Sequence, residues 1–445
     1  MVRSRLTLWV FEAELLRMIF RPAFRTALLF TFSLASTLGF AADWAQWRGP
    51  ERTGHAAKDA KLITTLPAEP KVLWRQRCGE GFASPVVAAG RAYLFDAQAG
   101  NETLRAFDAL GGSEVWRADV DIAVGDTQGP AGPRCTPLVD GDRVYAQSMR
   151  GELQCLDVKK GKLVWRVNFT TNFGAIFIGE KGQAQGAARH GNDGSPVIEG
   201  EFLICQPGGT NGAGVACLNK KTGKVIWKSQ NDQAGYAAPT IATIGGVKQV
   251  VCFTCDGLIG LDFKDGNLLW RVPMKTQFSR HVTTPVVVGD IVVAGSHTLG
   301  LIGTKVTKKG NEFATEQAWV TKEAAMNYSS PIAVGEHLYG LGPAKNVVCI
   351  EAKTGKVAWS QDGWFTSDKG KAVGYFIVLE KNILASTDGG QLILFAADPT
   401  QAKEISRVQV CSQTWAGPAY VDGKVFMRDG VKTGGELLCV DLLAK

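Results

Sequence analysis

Along this chain apolar residues come in short runs separated by turns, and one such pattern recurs from end to end. Its clearest copy is Ser330 to Trp359. An apolar run follows Ser330-Pro331, a turn falls at Gly335-Glu336, a second run centres on Leu338-Tyr339, and a third spans Val347 to Glu351. Lys353-Thr354-Gly355-Lys356 then turns the chain into a fourth run that ends on Trp359. A tight hairpin loop needs positive φ at one position, which only glycine adopts without steric cost, so Gly355 marks a true hairpin. The unit reads as a four-stranded antiparallel meander.

Counting its copies gives the architecture. A glycine stands four residues before a tryptophan at Gly112 and Trp116, Gly161 and Trp165, Gly223 and Trp227, Gly266 and Trp270, and Gly355 and Trp359. The starts recur as a small residue before proline at Ser84-Pro85, Thr136-Pro137, Ser195-Pro196, Ala238-Pro239, Thr284-Pro285, Ser330-Pro331 and Gly417-Pro418. From Pro196 these prolines advance by 43, 46 and 46 residues, the period of roughly 40–50-residue propeller blades. Two periods separate Pro331 from Pro418, which places a degenerate start near Gly374-Tyr375. The total is eight. Lys71-Val72-Leu73-Trp74 matches the terminal strand Lys224-Val225-Ile226-Trp227 with no blade before it, while the copy from Gly417 to Leu443 has three strands and stops. The expected fold is therefore all-β: an eight-bladed β-propeller of four-stranded antiparallel blades, closed by the N-terminal strand near Trp74. Such closure protects the open edges that the ring would otherwise leave.

At 445 residues, 45% hydrophobic, the chain is long enough for two or three domains, but the repeat overrides that prior. Residues 1–41 read as a cleaved secretory signal. Arg21 and Arg25 precede an apolar run from Ala27 that ends in Gly39-Phe40-Ala41, with small residues at the cleavage positions, and Met18 would give a leader of conventional length. Residues 42–70 then form an N-terminal extension and 71–445 the propeller. The leader's five Arg and two Glu account for three of the seven net positive charges, leaving +4, too weak a balance for a nucleic-acid partner. No further run is apolar enough to expect a transmembrane segment in the mature protein, which would be periplasmic or secreted.

The segment after the leader opens Asp43-Trp44-Ala45-Gln46-Trp47-Arg48-Gly49-Pro50, and its repeats carry the pattern L-D-x-x-x-G-x-x-x-W. In these motifs the chain resembles the pyrroloquinoline quinone (PQQ)-repeat propellers, quinoprotein-like and BamB-like, of secreted bacterial proteins. The resemblance covers nearly all of the mature chain and implies the fold. That family includes quinone-dependent dehydrogenases as well as non-enzymatic scaffolds such as the outer-membrane assembly propeller BamB, so fold alone does not choose the function. The vicinal cysteine pair that quinoprotein alcohol dehydrogenases commonly carry is lacking, and Cys252-Phe253-Thr254-Cys255 is followed by Asp256 where haem attachment needs His.

The repeated tryptophans read as structural, each indole stacking on the glycine turn of a neighbouring blade with its N–H satisfied. Of the ten cysteines, Cys155, Cys217, Cys349 and Cys439 fall at one equivalent place in four different blades, which predicts unpaired thiols packed as small apolar groups. Ligand chemistry is expected where the chain enters each innermost strand, just ahead of the small-residue/proline starts. Those entrances hold Phe82, Arg134, Asn192 with Asp193, Tyr236, Arg280 with His281, Asn327 with Tyr328, Lys371 and Trp415. Arg134 and Arg280 suit carboxylates, and Tyr236 or Trp415 suits a planar group. The connection from Asn168 to Gly191 is longer than the others, and Arg189 and His190 at its end are candidates for a lid or a partner contact. No catalytic residue, cofactor or metal site is expected. The leading expectation is a non-catalytic scaffold that binds a protein, peptide or glycan surface. The alternative is a PQQ- and calcium-dependent oxidoreductase of alcohols or sugars.

Overall fold

The computed structural model describes residues 43–127, 129–365, 373–430 and 434–443; the expected leader, residues 1–41, and Lys371 lie outside them. Eight four-stranded antiparallel sheets follow one another around a ring. The first seven are built in chain order over residues 86–122, 138–168, 197–229, 240–273, 286–321, 332–361 and 374–409. The degenerate copy does start at Gly374, with the strand Gly374–Leu379 innermost. The eighth sheet joins the two ends of the chain: Ala419–Val421, Lys424–Asp429 and Gly435–Asp441 come from the C-terminal side, and Lys71–Cys78 completes it on the outside. Trp74 lies opposite Cys439, and Val72 and Val425 both face Val440, as ring closure requires.

One register break repeats in all eight blades. In blade two Cys155 pairs with Trp165 but the next pair is Leu156 with Leu163, so one residue of the outer strand bulges. The same break follows Ala106–Trp116, Cys217–Trp227, Gly260–Trp270, Gly303–Trp319, Cys349–Trp359, Leu394–Ser406 and, in the closing blade, Cys439–Trp74. A bulge twists the outer strand locally, and here it aims the indole across the gap. Trp165 Nε1 donates to Lys220 O of blade three at 2.9 Å, and its ring lies against Gly223, where φ is +69° and an added Cβ would sit 2.7 Å from the indole. Trp74, Trp116, Trp227, Trp319 and Trp359 reach across in the same way to Ala109, Val158, Phe263, Ala352 and Asp398.

Two departures have local causes. Blade five makes a long hairpin from Gly300–Lys309 to Glu312–Thr321 whose glycine turn, at Gly310, has no ring resting on it, and Trp270 instead turns back and donates to Gln249 Oε1 at 2.7 Å within its own blade. Blade seven has Ser406 where the others have Trp, because the eighth blade has no turn at that place: its outer strand arrives from the other end of the chain. The four equivalent cysteines lie opposite tryptophans as the repeat alignment implies, and all ten cysteines are buried and unpaired.

The segment before Lys71 closes one end of the central channel. Trp44 pairs with Val87 of blade one, Ala45 O accepts from Val139 N of blade two, and Gly54 and Ala56 bond Val378 of blade seven. Arg52 donates to Ile198 O at 2.7 Å and pairs with Glu199 in blade three, while Tyr420 Oη of blade eight bonds both Lys61 and Ile63. These contacts fall at the middle of four innermost strands, at Val87, Val139, Ile198 and Tyr420, and near the end of a fifth at Val378, so the extension lies across the channel beyond the strand entrances. Among the described residues no helix is long and apolar enough to cross a membrane.

Candidate functional site

At the entrance end, the small residues before proline form a narrow annulus stitched by side chain to backbone bonds. Ser84 Oγ accepts from Gly417 N at 2.8 Å, Ser195 Oγ from Thr136 N at 2.9 Å and Ser330 Oγ from Thr284 N at 2.9 Å. A serine or threonine is suited to this place because its hydroxyl supplies an acceptor for a backbone N–H of the adjoining blade.

Two residues ahead of the annulus position, one side chain from each of seven blades faces the axis: Phe82, Arg134, Asp193, Tyr236, Val282, Tyr328 and Trp415. With the annulus, Trp47 of the extension, Val373 and Tyr375, they line a cavity of about 180 Å³. The rings brace one another: Phe82 and Trp415 are 5.4 Å apart, Trp47 meets Tyr375 edge-on at 5.8 Å, and Tyr375 Oη donates to Trp415 O at 2.8 Å. Several inward polar atoms have no hydrogen-bond partner among the described residues: Asp193 Oδ1, Tyr236 Oη, Trp415 Nε1 and Arg134 Nε.

The charges of the site are unevenly committed. Arg134 donates to Asp126 Oδ1 at 2.8 Å and to His190 O at 3.1 Å, and stacks over Phe82. His190 Nδ1 holds the other oxygen of Asp126 at 2.8 Å. Burial works against the Arg134 charge, but Asp193 and Asp126 more than offset it and raise its pKa. Asp193 stands 3.9 Å from Arg134, outside hydrogen-bond reach, and burial lifts its carboxyl to about 7. Glu102 lies farther back, accepting from Met149 N at 3.1 Å, and burial lifts it to about 8.

Six of the entrance residues, Phe82, Arg134, Asp193, Tyr236, Tyr328 and Trp415, share the cavity wall. Four others sit elsewhere. Asn192 turns back to Met149 O, and His281 is fully buried, stacked 4.2 Å from Phe253 with Nδ1 against Thr254 O. Arg280 and Asn327 are half-buried and do not line the cavity. Extended backbone sends adjacent side chains to opposite sides, so of each adjacent pair named from sequence only Asp193 and Tyr328 face the axis. The same offset identifies Val282, whereas Trp47 carried no repeat signal. The long connection forms two short helices, α1 (Phe169–Phe173) and α2 (Gly186–His190). His190 braces the wall through Asp126 and Tyr236, while Arg189 lies over Phe278.

The quinone and calcium implied by the resemblance can be tested against these residues. A flat tricarboxylate with Ca²⁺ needs several free cations and a converging set of oxygen ligands. Among the described residues the wall supplies one guanidinium, already bound to Asp126, and one carboxylate, Asp193, and no group of three His, Cys, Asp or Glu is placed to hold a metal. The volume is also below the roughly 300–1,000 Å³ usual for larger ligands. The residues present do not fit the cofactor.

A family model described as outer membrane protein assembly factor BamB matches residues 52–120 and 100–361. The assembly factor BamB of Shewanella oneidensis is 26% identical over 257 residues, 55% of this chain and 60% of that protein, so the match spans less than two thirds of the relative's length. The quinohemoprotein alcohol dehydrogenase ADH IIB of Pseudomonas putida is 30% identical over 131 residues, covering 28% of this chain and 16% of the enzyme. The crystal structure of BamB from Moraxella catarrhalis superposes over 85% of this chain and 99% of its own with a TM-score of 0.56 at 15% identity, a likeness of fold. The family match covers well over half of the sequence, and the chain belongs to the PQQ-repeat propeller family represented by the outer membrane protein assembly factor BamB.

Proposed function

We propose that this protein is a non-catalytic scaffold of the BamB kind, which binds other proteins during outer membrane protein assembly and acts on the periplasmic side after removal of residues 1–41. The observation that carries this reading is the cavity wall: among the described residues its single guanidinium is committed to Asp126, so those residues lack the free charges with which a quinoprotein would hold its cofactor. Family membership over residues 52–361 supports it. The match to the alcohol dehydrogenase is confined to 131 residues, a length of about three blades.

The mature chain, used as bait in a solubilised envelope of its own bacterium, is expected to retain proteins of the outer membrane assembly machinery. Incubated with PQQ and Ca²⁺, it is expected neither to bind the quinone stoichiometrically nor to reduce a dye when given alcohols or aldoses. Tight quinone binding with turnover, both lost in Arg134→Ala or Trp415→Ala, would replace the scaffold by the oxidoreductase.

A further inference from the structure

The funnel has a composition that the scaffold reading does not use. Six aromatic rings, from Trp47, Phe82, Tyr236, Tyr328, Tyr375 and Trp415, enclose about 180 Å³. Their mutual contacts hold several of them in place without a ligand. The face of an aromatic ring is negative, and rings gathered around one space attract a cation with an apolar shell. The charges agree. Arg134 is matched by Asp126, whereas Asp193 Oδ1 has no hydrogen-bond partner among the described residues, and its side chain keeps about a quarter of its surface open. An anion would meet π faces and a carboxylate whose Oδ1 has no hydrogen-bond donor among the described residues. A sugar would need partners for each hydroxyl, and the annulus oxygens of Ser195 and Ser330 are already engaged by neighbouring backbone.

We propose that this funnel is a receptor for an organic cation, a methylated or primary ammonium group whose apolar shell is enclosed by the six rings and whose charge is met by Asp193. The extension seals the far end of the channel, so the ligand enters past the strand entrances and lodges above Trp47. The chemistry is shared by a free quaternary ammonium compound and by a lysine or methylated lysine side chain of a peptide. The proposal does not depend on the scaffold reading.

The test is calorimetry on the mature chain with four probes: choline, its uncharged isostere 3,3-dimethylbutan-1-ol, N-acetyl-trimethyllysine amide and N-acetyl-lysine amide. At least one ammonium probe is expected to bind saturably and to change tryptophan fluorescence, with the isostere weaker by about tenfold or more. Asp193→Asn is expected to weaken ammonium binding by about tenfold while leaving the isostere and the melting temperature unchanged. Trp415→Phe, which keeps a ring, retains binding that Trp415→Ala loses. Preference for choline identifies a free ligand and preference for the amides a protein-borne side chain. Equal binding of choline and its isostere, no saturable binding of any ammonium probe, or binding indifferent to Asp193→Asn would each overturn the proposal.

Discussion

Glu102, behind the cavity wall in the third strand of blade one, shows how burial suppresses charge. It is fully buried, its carboxylate oxygens accept from Met149 N, and Asp121, Asp193 and Arg134 act on it from neighbouring elements. An unfolded glutamate sheds its proton near pH 4.5, whereas burial lets Glu102 keep its proton up to about pH 8. The folded state therefore binds more protons between those limits. The stability this gives is complete below the unfolded value and is lost as pH rises through the folded one, at about 1.4 kcal/mol per pH unit over which the two states differ. Glu102→Gln keeps an acceptor for Met149 N and removes the ionisation. Its melting temperature is expected to fall much less than the parent's as pH rises from about 4.5 to about 8. Parallel pH profiles in scanning calorimetry would show that Glu102 ionises normally. Such a residue is not visible in sequence, where it is one polar position in the strand Asn101–Asp108. The entrance ring was legible only to within two residues for a related reason: the repeat locates each start, but the side chain that faces the axis depends on the pleat, which separates Asp193 from Asn192 and Tyr328 from Asn327.

At the scale of the element, each blade is a meander whose outer strand bulges beside a tryptophan, and blades adhere through that side chain. Trp165 is buried and spends its N–H on Lys220 O of the next blade. Trp165→Ala removes both, and truncation of a buried indole costs on the order of 3 kcal/mol or more. Gly223→Ala attacks the same contact from the other side, since the new methyl meets the ring at a positive φ. Because both changes break one contact, the double variant is expected to lose clearly less than the sum of the singles in urea unfolding; simple additivity would mean that the indole does not bind the blades together. The tryptophans and turns that carry these junctions repeat in sequence and so could be counted. The bulge itself leaves no mark, and neither does the path of the extension, because Trp44, Ala45 and Gly54 meet three different blades once each and repeat nothing.

Over the whole molecule the question is what keeps a ring of eight similar sheets closed. The two ends of the chain share one blade: Lys71 faces Asp441 and Cys78 faces Gly435 along an antiparallel ladder, with Trp74 continuing the inter-blade series onto blade one through Ala109 O at 3.0 Å. Sequence made this closure legible, since an unaccompanied outer strand at one end and a missing one at the other imply each other. Two truncations separate closure from the plug. A chain beginning at Lys71 loses Trp44, Ile63 and Leu66 from the core and the floor of the funnel, yet keeps all eight sheets. It is expected to remain monomeric and cooperative, with a lower melting temperature and an open channel. A chain beginning at Gly79 also loses the closing strand. The strand Gly435–Asp441 then becomes an open edge with unpaired N–H and C=O groups, a template for pairing with another copy. That chain is expected to lose hydrogen-exchange protection first in Gly435–Asp441 and to associate through it, giving dimers or aggregates by light scattering. If both truncations stay monomeric with equal protection of Gly435–Asp441, the strand Lys71–Cys78 does not lock the ring. In that case the seven complete blades, joined through their indoles, would be enough to hold it shut.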